Sequence, residues 1–223
     1  GNEICDARFS KSCGGVSELF SSCWNDEDKS YLQPIRDSAC HSLPDLTNEA
    51  NAEKWIRSAP ESFCNSNDDK VLSQVLNDYD LETKDFYRWK VVYKATELSA
   101  LVKKNTGIDF GSIKNLVPLR RGASGRIIEL LIEGTKKQMI IGKELEIRRV
   151  LSNSHLKSSA FVVDCFDADS EGIPARIEIV GAGWGHGVGL CQIGAAVMSS
   201  EGYDYRKILF HYFKNSKIKN IYV

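Results

Sequence analysis

Gly181-Ala182-Gly183-Trp184-Gly185-His186-Gly187-Val188-Gly189-Leu190 carries glycine at every odd position from 181 to 189. In an extended chain, successive side chains point to opposite faces. Read as a strand, this segment has one bare face and one face bearing Ala182, Trp184, His186, Val188 and Leu190. Five glycines in nine residues weaken a strand through backbone entropy. The pattern therefore predicts a compensating close approach to the bare face, by another backbone or by a flat ligand such as a sugar ring. Trp184 and His186 are expected on one face, about 7 Å apart along the strand. There an indole can cover the apolar face of a pyranose while an imidazole meets its hydroxyls. A tight structural corner around a buried Trp is the alternative.

After Leu190 the period changes. Cys191 to Ser200 reads as a small-residue helix that Gly202 stops. Its first turn presents unpaired N–H groups next to the glycine segment, with the Gln192 amide in reach of a ligand. Upstream, Asp85 to Tyr93 reads as a strand, and Thr96 is expected to cap a helix with Leu98, Leu101 and Val102 as its apolar stripe. Arg126 to Ile132 and Gln138 to Ile141 read as a hairpin turning through Gly134-Thr135, and Lys143 to Leu151 as a short helix. Ala160 to Phe166 with Ala175 to Val180 form a second hairpin. Asp204 caps a helix over Tyr205 to Phe213, and Lys217 to Val223 reads as a closing strand. Glu129 and Glu178, in mid-strand, are expected to face solvent. The fold class is α+β, with mixed or antiparallel sheets, hairpins and short helices.

Residues 24–78 are polar and read as a helical, cysteine-containing insertion. Thr47 is expected to cap one helix that Pro60 ends, and Lys70 to Tyr79 forms another. No Gly/Ser-rich or Pro-rich linker sets this part off, so the 223 residues read as a single domain carrying an insertion. Net charge is -1, which argues against nucleic acid as a partner. No apolar run reaches the roughly 18 residues of a membrane span. The chain begins Gly1-Asn2 without Met, so a preceding segment is expected. Five of the seven cysteines fall in the first 64 residues, a clustering that suits disulfides in an exported protein, with free buried thiols as the alternative. No CxxC pair occurs, which argues against a zinc ribbon.

Gly183 to Ala195, reading GWGHGVGLCQIGA, resembles the signature of the SpoIID/LytB family of stage II sporulation protein D and amidase-enhancer proteins, usually GxGHGVGMSQxGA. Phe9 to Glu18, with Ser12, Gly14-Gly15 and Ser17, resembles the family's Ser-rich strand and Gly-Gly turn, and Arg88-Trp89 fits a further feature. The resemblance runs from about residue 5 to the end, apart from 24–78. Leu190, Cys191 and Ile193 depart from the usual Met, Ser and aromatic residue. The family's proposed catalytic Glu lies in an upstream helix with a context like VVAxEMP, and its zinc-binding members use an upstream Cys/His cluster. Neither is in this chain.

The resemblance implies peptidoglycan glycan strands as the partner, with a cell-wall amidase or another wall protein as a second, and an exported, cell-envelope or extracellular location. It implies lytic transglycosylase chemistry. The 6-hydroxyl of N-acetylmuramic acid displaces the bond to N-acetylglucosamine, and one carboxyl acts first as acid and then as base. The substrate-binding residues expected are Ser12, Gly14, Gly15, Ser17, Trp184, His186 and Gln192. Glu18 is the candidate acid within the chain, weighed against a surface or capping carboxylate. A binding module without chemistry, and a cysteine hydrolase using Cys191 with His186, are the rivals. No cofactor is expected. The zinc alternative uses His186 and Cys191 with a further ligand. His41, His155 and His211 read as solvated or satisfied groups.

Overall fold

The computed structural model describes residues 4–77 and 83–220. The elements are β1 (Phe9–Ser10), a 3-10 turn (Phe20–Ser22), α1 (Glu49–Ser58), α2 (Asp69–Val75), β2 (Arg88–Lys94), α3 (Ala95–Thr106), β3 (Ile113–Arg121), β4 (Ile127–Gly134), β5 (Gln138–Ile141), α4 (Glu144–Val150), β6 (Phe161–Phe166), β7 (Arg176–Ala182), β8 (Leu190–Cys191), α5 (Gln192–Ser200) and α6 (Tyr205–Tyr212). The fold is α+β. Two antiparallel three-stranded sheets run β2-β7-β6 and β3-β4-β5, and β1 pairs with β8 in parallel.

β7 is the strand that delivers the glycine segment. It is central, with β2 on one side (Arg88 opposite Ala182) and β6 on the other (Phe161 opposite Gly181). Ile177 and Ile179 are fully buried on one face. Gly181 follows them on that face because the Trp89 indole lies across it: an added Cβ would stand 2.1 Å from the ring. On the other face, Ile56 of α1 packs with Val162 and Ala182. Glu178 is buried there and ion-paired to Lys90 at 2.5 Å and to Arg176. Its expected solvent exposure is therefore wrong, because α1 covers the face that alternation assigns to water. Glu129 fits better, half-buried beside Arg120.

Two cores result. The larger lies between the two sheets, α3 and α4, and is built on Trp89, Leu98, Val102, Leu130, Ile147 and Phe161. The second joins the 24–78 segment to the C-terminal helices through Leu32, Leu72, Val188, Cys191, Ile193 and Tyr212. The insertion is thus part of the interior rather than an appendage, with α1 against β6 and β7 and α2 against α5.

Several local expectations shift. Asn48, not Thr47, caps α1, accepting the Asn51 N–H at 3.2 Å, since Thr47 turns to Asp45 at 2.6 Å. Lys94 precedes α3, and Glu97 reaches back to its N–H at 3.4 Å, leaving Thr96 inside the helix. β3 was not anticipated: Pro118 and three register shifts against β4 break the alternation by which a strand is recognised. The expected helix to Tyr79 ends at Val75, and Tyr79 lies outside the described residues. Of the expected closing strand, 217–220 are irregular and 221–223 lie outside the described residues. Asp204 caps α6 as expected, accepting from Arg206 and Lys207 N–H at 2.9 Å.

Candidate functional site

The glycine segment is not extended beyond Ala182. Gly183, Gly185, Gly187 and Gly189 all adopt left-handed backbone, with φ of 76, 102, 77 and 73°. The bare face exists, but the chain's own atoms fill it. A Cβ on Gly187 would stand 2.4 Å from the Arg126 guanidinium, and one on Gly183 2.7 Å from the Ser12 carbonyl. Of the two partners foreseen for the bare face, backbone and ligand, the protein itself occupies the place.

The first motif locks to this segment. Ser12 and Trp184 exchange N–H···O bonds at 3.1 and 2.8 Å, and the Glu18 N–H donates to the Gly187 carbonyl at 2.9 Å. Arg126 is fully buried and donates to the carbonyls of Gly185 (2.9 Å) and Cys13 (3.1 Å) and to Ser124 Oγ (2.9 Å). Ser124 Oγ in turn donates to Glu18 Oε2 at 2.5 Å. The Glu18 carboxylate is fully buried and accepts from five donors, the other four being Leu19 N, Ser22 Oγ, Ala123 N and Ser124 N at 2.8–3.1 Å. It is neither a surface group nor a cap. Both oxygens are fixed by donors, and it anchors the turn rather than waiting for a substrate proton.

The expected binding residues divide accordingly. Ser12, Gly14, Gly15 and Ser17 are interior. Ser12 Oγ accepts from the Gly14 N–H at 3.3 Å, and Ser17 Oγ from the Ile35 N–H at 2.9 Å. Gly14 and Gly15 are left-handed, and the Gly15 position is hemmed in by Ser62, Trp55 and Tyr87. The backbone of this turn pairs within the fold, so these four residues shape the site and do not line it. Trp184, His186 and Gln192 remain half-buried.

Around Trp184 and His186 the structure gathers groups that the sequence pattern did not reveal. Phe86 stacks on Trp184 with ring centroids 5.6 Å apart, while the ammonium groups of Lys11 and Lys157 lie 4.3 and 4.9 Å from the Trp184 ring. His186 meets Trp24 edge-on at 4.8 Å, and the Arg8 guanidinium sits 4.4 Å over Trp24. Lys143 holds the Trp24 loop by donating to the Ser21 and Trp24 carbonyls at 3.0 and 2.7 Å. Arg8 precedes β1 and Lys11 follows it, so the strand brings one cation to each ring, with exposed Phe9 between them. The basic residues flanking Phe9 were a legible signal, but nothing local tied them to residues 184–186.

His186 Nδ1 accepts the Val188 N–H at 3.0 Å. Burial, with the guanidinium groups of Arg126, Arg148 and Arg8, brings its pKa down to about 4. The ring is neutral near neutral pH and tied into the backbone. It is also not paired with Cys191, whose fully buried Sγ accepts the Cys13 N–H at 3.3 Å. No hydrogen bond joins Cys191 to His186 among the described residues, and His186 is not among the ligand atoms that gather around Cys191. All seven cysteines are free thiols, with Cys13 and Cys64 sulfurs 3.8 Å apart. Among the described residues, Cys13, Asp37, Cys64 and Cys191 form a buried group able to hold a metal. His41 and His155 are exposed as expected. His211 is buried with Nε2 unpartnered, and burial lowers its pKa to about 4.

A family model described as a domain of unknown function, DUF8618, matches residues 18–189. The chain belongs to this family. The DUF8618 match takes in the 24–78 segment and most of the glycine alternation, in keeping with their shared packing, and stops before Gln192. No curated protein matches the chain.

Proposed function

We propose that this DUF8618 domain binds peptidoglycan glycan strands. One observation carries the reading: a half-buried Trp184 flanked by Lys11 and Lys157, with Trp24, Arg8 and His186 grouped at the other end of β1. Indole faces suit the apolar faces of pyranose rings. Ammonium and guanidinium groups suit the carboxylates of muramic acid and of its peptide stem, which would compete with Asp6 for Arg8 and with Asp85 for Lys157. The resemblance to SpoIID/LytB proteins points to the same ligand and to an exported, cell-envelope setting. With an upstream helix supplying the catalytic Glu, the bound strand would be cut between N-acetylmuramic acid and N-acetylglucosamine.

A second reading, a wall-binding or amidase-enhancing module without chemistry of its own, is favoured by the five donors that immobilise Glu18. Co-sedimentation with purified glycan strands tests the binding, and mass spectrometry of the supernatant for 1,6-anhydro products separates the two readings. Trp184→Ala is expected to weaken binding about tenfold, the equivalent of about 1.4 kcal/mol for one aromatic platform. A native chain that stays in solution, or a Trp184→Ala variant that binds equally well, ends the proposal.

A further inference from the structure

Behind the glycine segment, four side chains converge from separate stretches of chain. Cys13 comes from the Gly-Gly turn, Asp37 and Cys64 from the 24–78 segment, and Cys191 from the residue ahead of α5. All four are buried, at 2% exposure or less. Their ligand atoms lie within 4.8 Å of one another. The Cys13 and Cys64 sulfurs are 3.8 Å apart. That is far beyond the ~2.05 Å of a disulfide. It equals the edge of a tetrahedron, roughly 3.8 Å, whose sulfurs sit ~2.3 Å from a central zinc ion.

Asp37 has no ion-pair partner among the described residues, and its oxygens accept only neutral donors: Tyr212 Oη at 2.7 Å and the Cys64 N–H at 3.1 Å. A buried carboxyl therefore lies among three buried sulfurs with no side-chain cation paired to it.

We infer that Cys13, Asp37, Cys64 and Cys191 are the four ligands of a structural zinc ion. Three thiolates select a soft or borderline cation over calcium or magnesium, and three sulfurs with one oxygen suit tetrahedral zinc. All four positions come from protein in a closed interior, so no place is left for water or substrate, which marks the ion as structural. Its surroundings orient the ligands: Tyr212 and the Cys64 N–H fix the Asp37 carboxylate, and the Cys13 N–H fixes the Cys191 sulfur. Bound zinc joins the 24–78 segment, the Gly-Gly turn and the start of α5 at one point. The assignment is independent of the glycan reading.

The test uses the full chain, produced with zinc in the medium and desalted. Native mass spectrometry and elemental analysis are expected to find one zinc per chain. Exchange for Co²⁺ is expected to give thiolate-to-cobalt charge-transfer bands and the intense visible absorption of a tetrahedral site. Cys64→Ser and Cys191→Ser lose the ion, while Cys165→Ser, altering an exposed cysteine, keeps it. If the ligand variants fail to fold, Tyr212→Phe keeps the shape and is expected to weaken zinc about 10–100-fold in chelator competition. A native chain that carries no zinc and gives no tetrahedral cobalt spectrum overturns the inference. So does a Cys13–Cys64 disulfide in a non-reducing peptide map.

Discussion

At the scale of single residues, the His186 ring accepts the Val188 N–H at Nδ1, so protonation breaks a hydrogen bond in a buried place beside three guanidinium groups. Its pKa falls from an ordinary 6.5 to about 4. Between those values the unfolded chain takes up a proton that the folded chain refuses, so stability is lost as pH falls from 6.5 towards 4. From pH 7 to pH 5 the loss from this one group is about 2 kcal/mol. Urea unfolding at the two pH values checks this, and His186→Asn should flatten the difference by that amount. Gly187 supplies a second test. Alanine there meets both a left-handed backbone and Arg126 at 2.4 Å, so Gly187→Ala should lower stability by about 3 kcal/mol or more. An unchanged urea midpoint would show that Arg126 can vacate the space without loss.

At the scale of elements, the same glycine chemistry has a milder form. Gly107 ends α3 at φ 72°, but its missing side chain faces open space. Gly107→Ala should therefore cost only the backbone preference, about 1 kcal/mol, and thermal unfolding of the two alanine variants side by side should separate them clearly. Elements whose signals are local were legible in the sequence: the Asp204 cap of α6, the Gly107 stop and the two hairpins. β3 was not, because its bulges and Pro118 hide the period that would reveal it. The site was half legible. Alternation in 181–190 picked out Trp184 and His186, but four glycines turned left-handed, which no reading of a strand anticipates. Ser12 and Ser17 were expected to bind substrate and Glu18 to be a candidate acid; all three are interior, and the burial of Glu18 depends on Ser124, more than 100 residues away. The cysteine group was invisible for the same reason: its ligands share no spacing rule and meet only in the folded chain.

At the scale of the whole molecule, the second core depends on a segment that looked like decoration. Leu32, Ile35, Cys64 and Leu72 of the 24–78 segment pack with Val188, Ile193 and Tyr212 from the far end of the chain. Deleting that segment exposes a large apolar surface and should leave a chain that aggregates or lacks cooperative unfolding by near-ultraviolet circular dichroism. A deletion variant with a sharp transition would show that the first core stands alone. Electrostatics reinforce the integration: Arg88 donates to carbonyls of Gly14, Trp55 and Ile56, so one half-buried guanidinium ties β2 to the motif turn and to α1 together.

The parallel pairing of β1 with β8 sets an order of events during synthesis. Lys11 meets Cys191 across 180 residues of intervening chain. At about 5–20 residues per second the early strand emerges roughly 10–40 s before its partner exists. Throughout that interval β1 lacks its strand partner and Cys13 lacks the sulfur that accepts its N–H, while the sheets built from residues 88–182 can already assemble. The β1 backbone therefore waits, unpaired, for a partner made after both three-stranded sheets are complete.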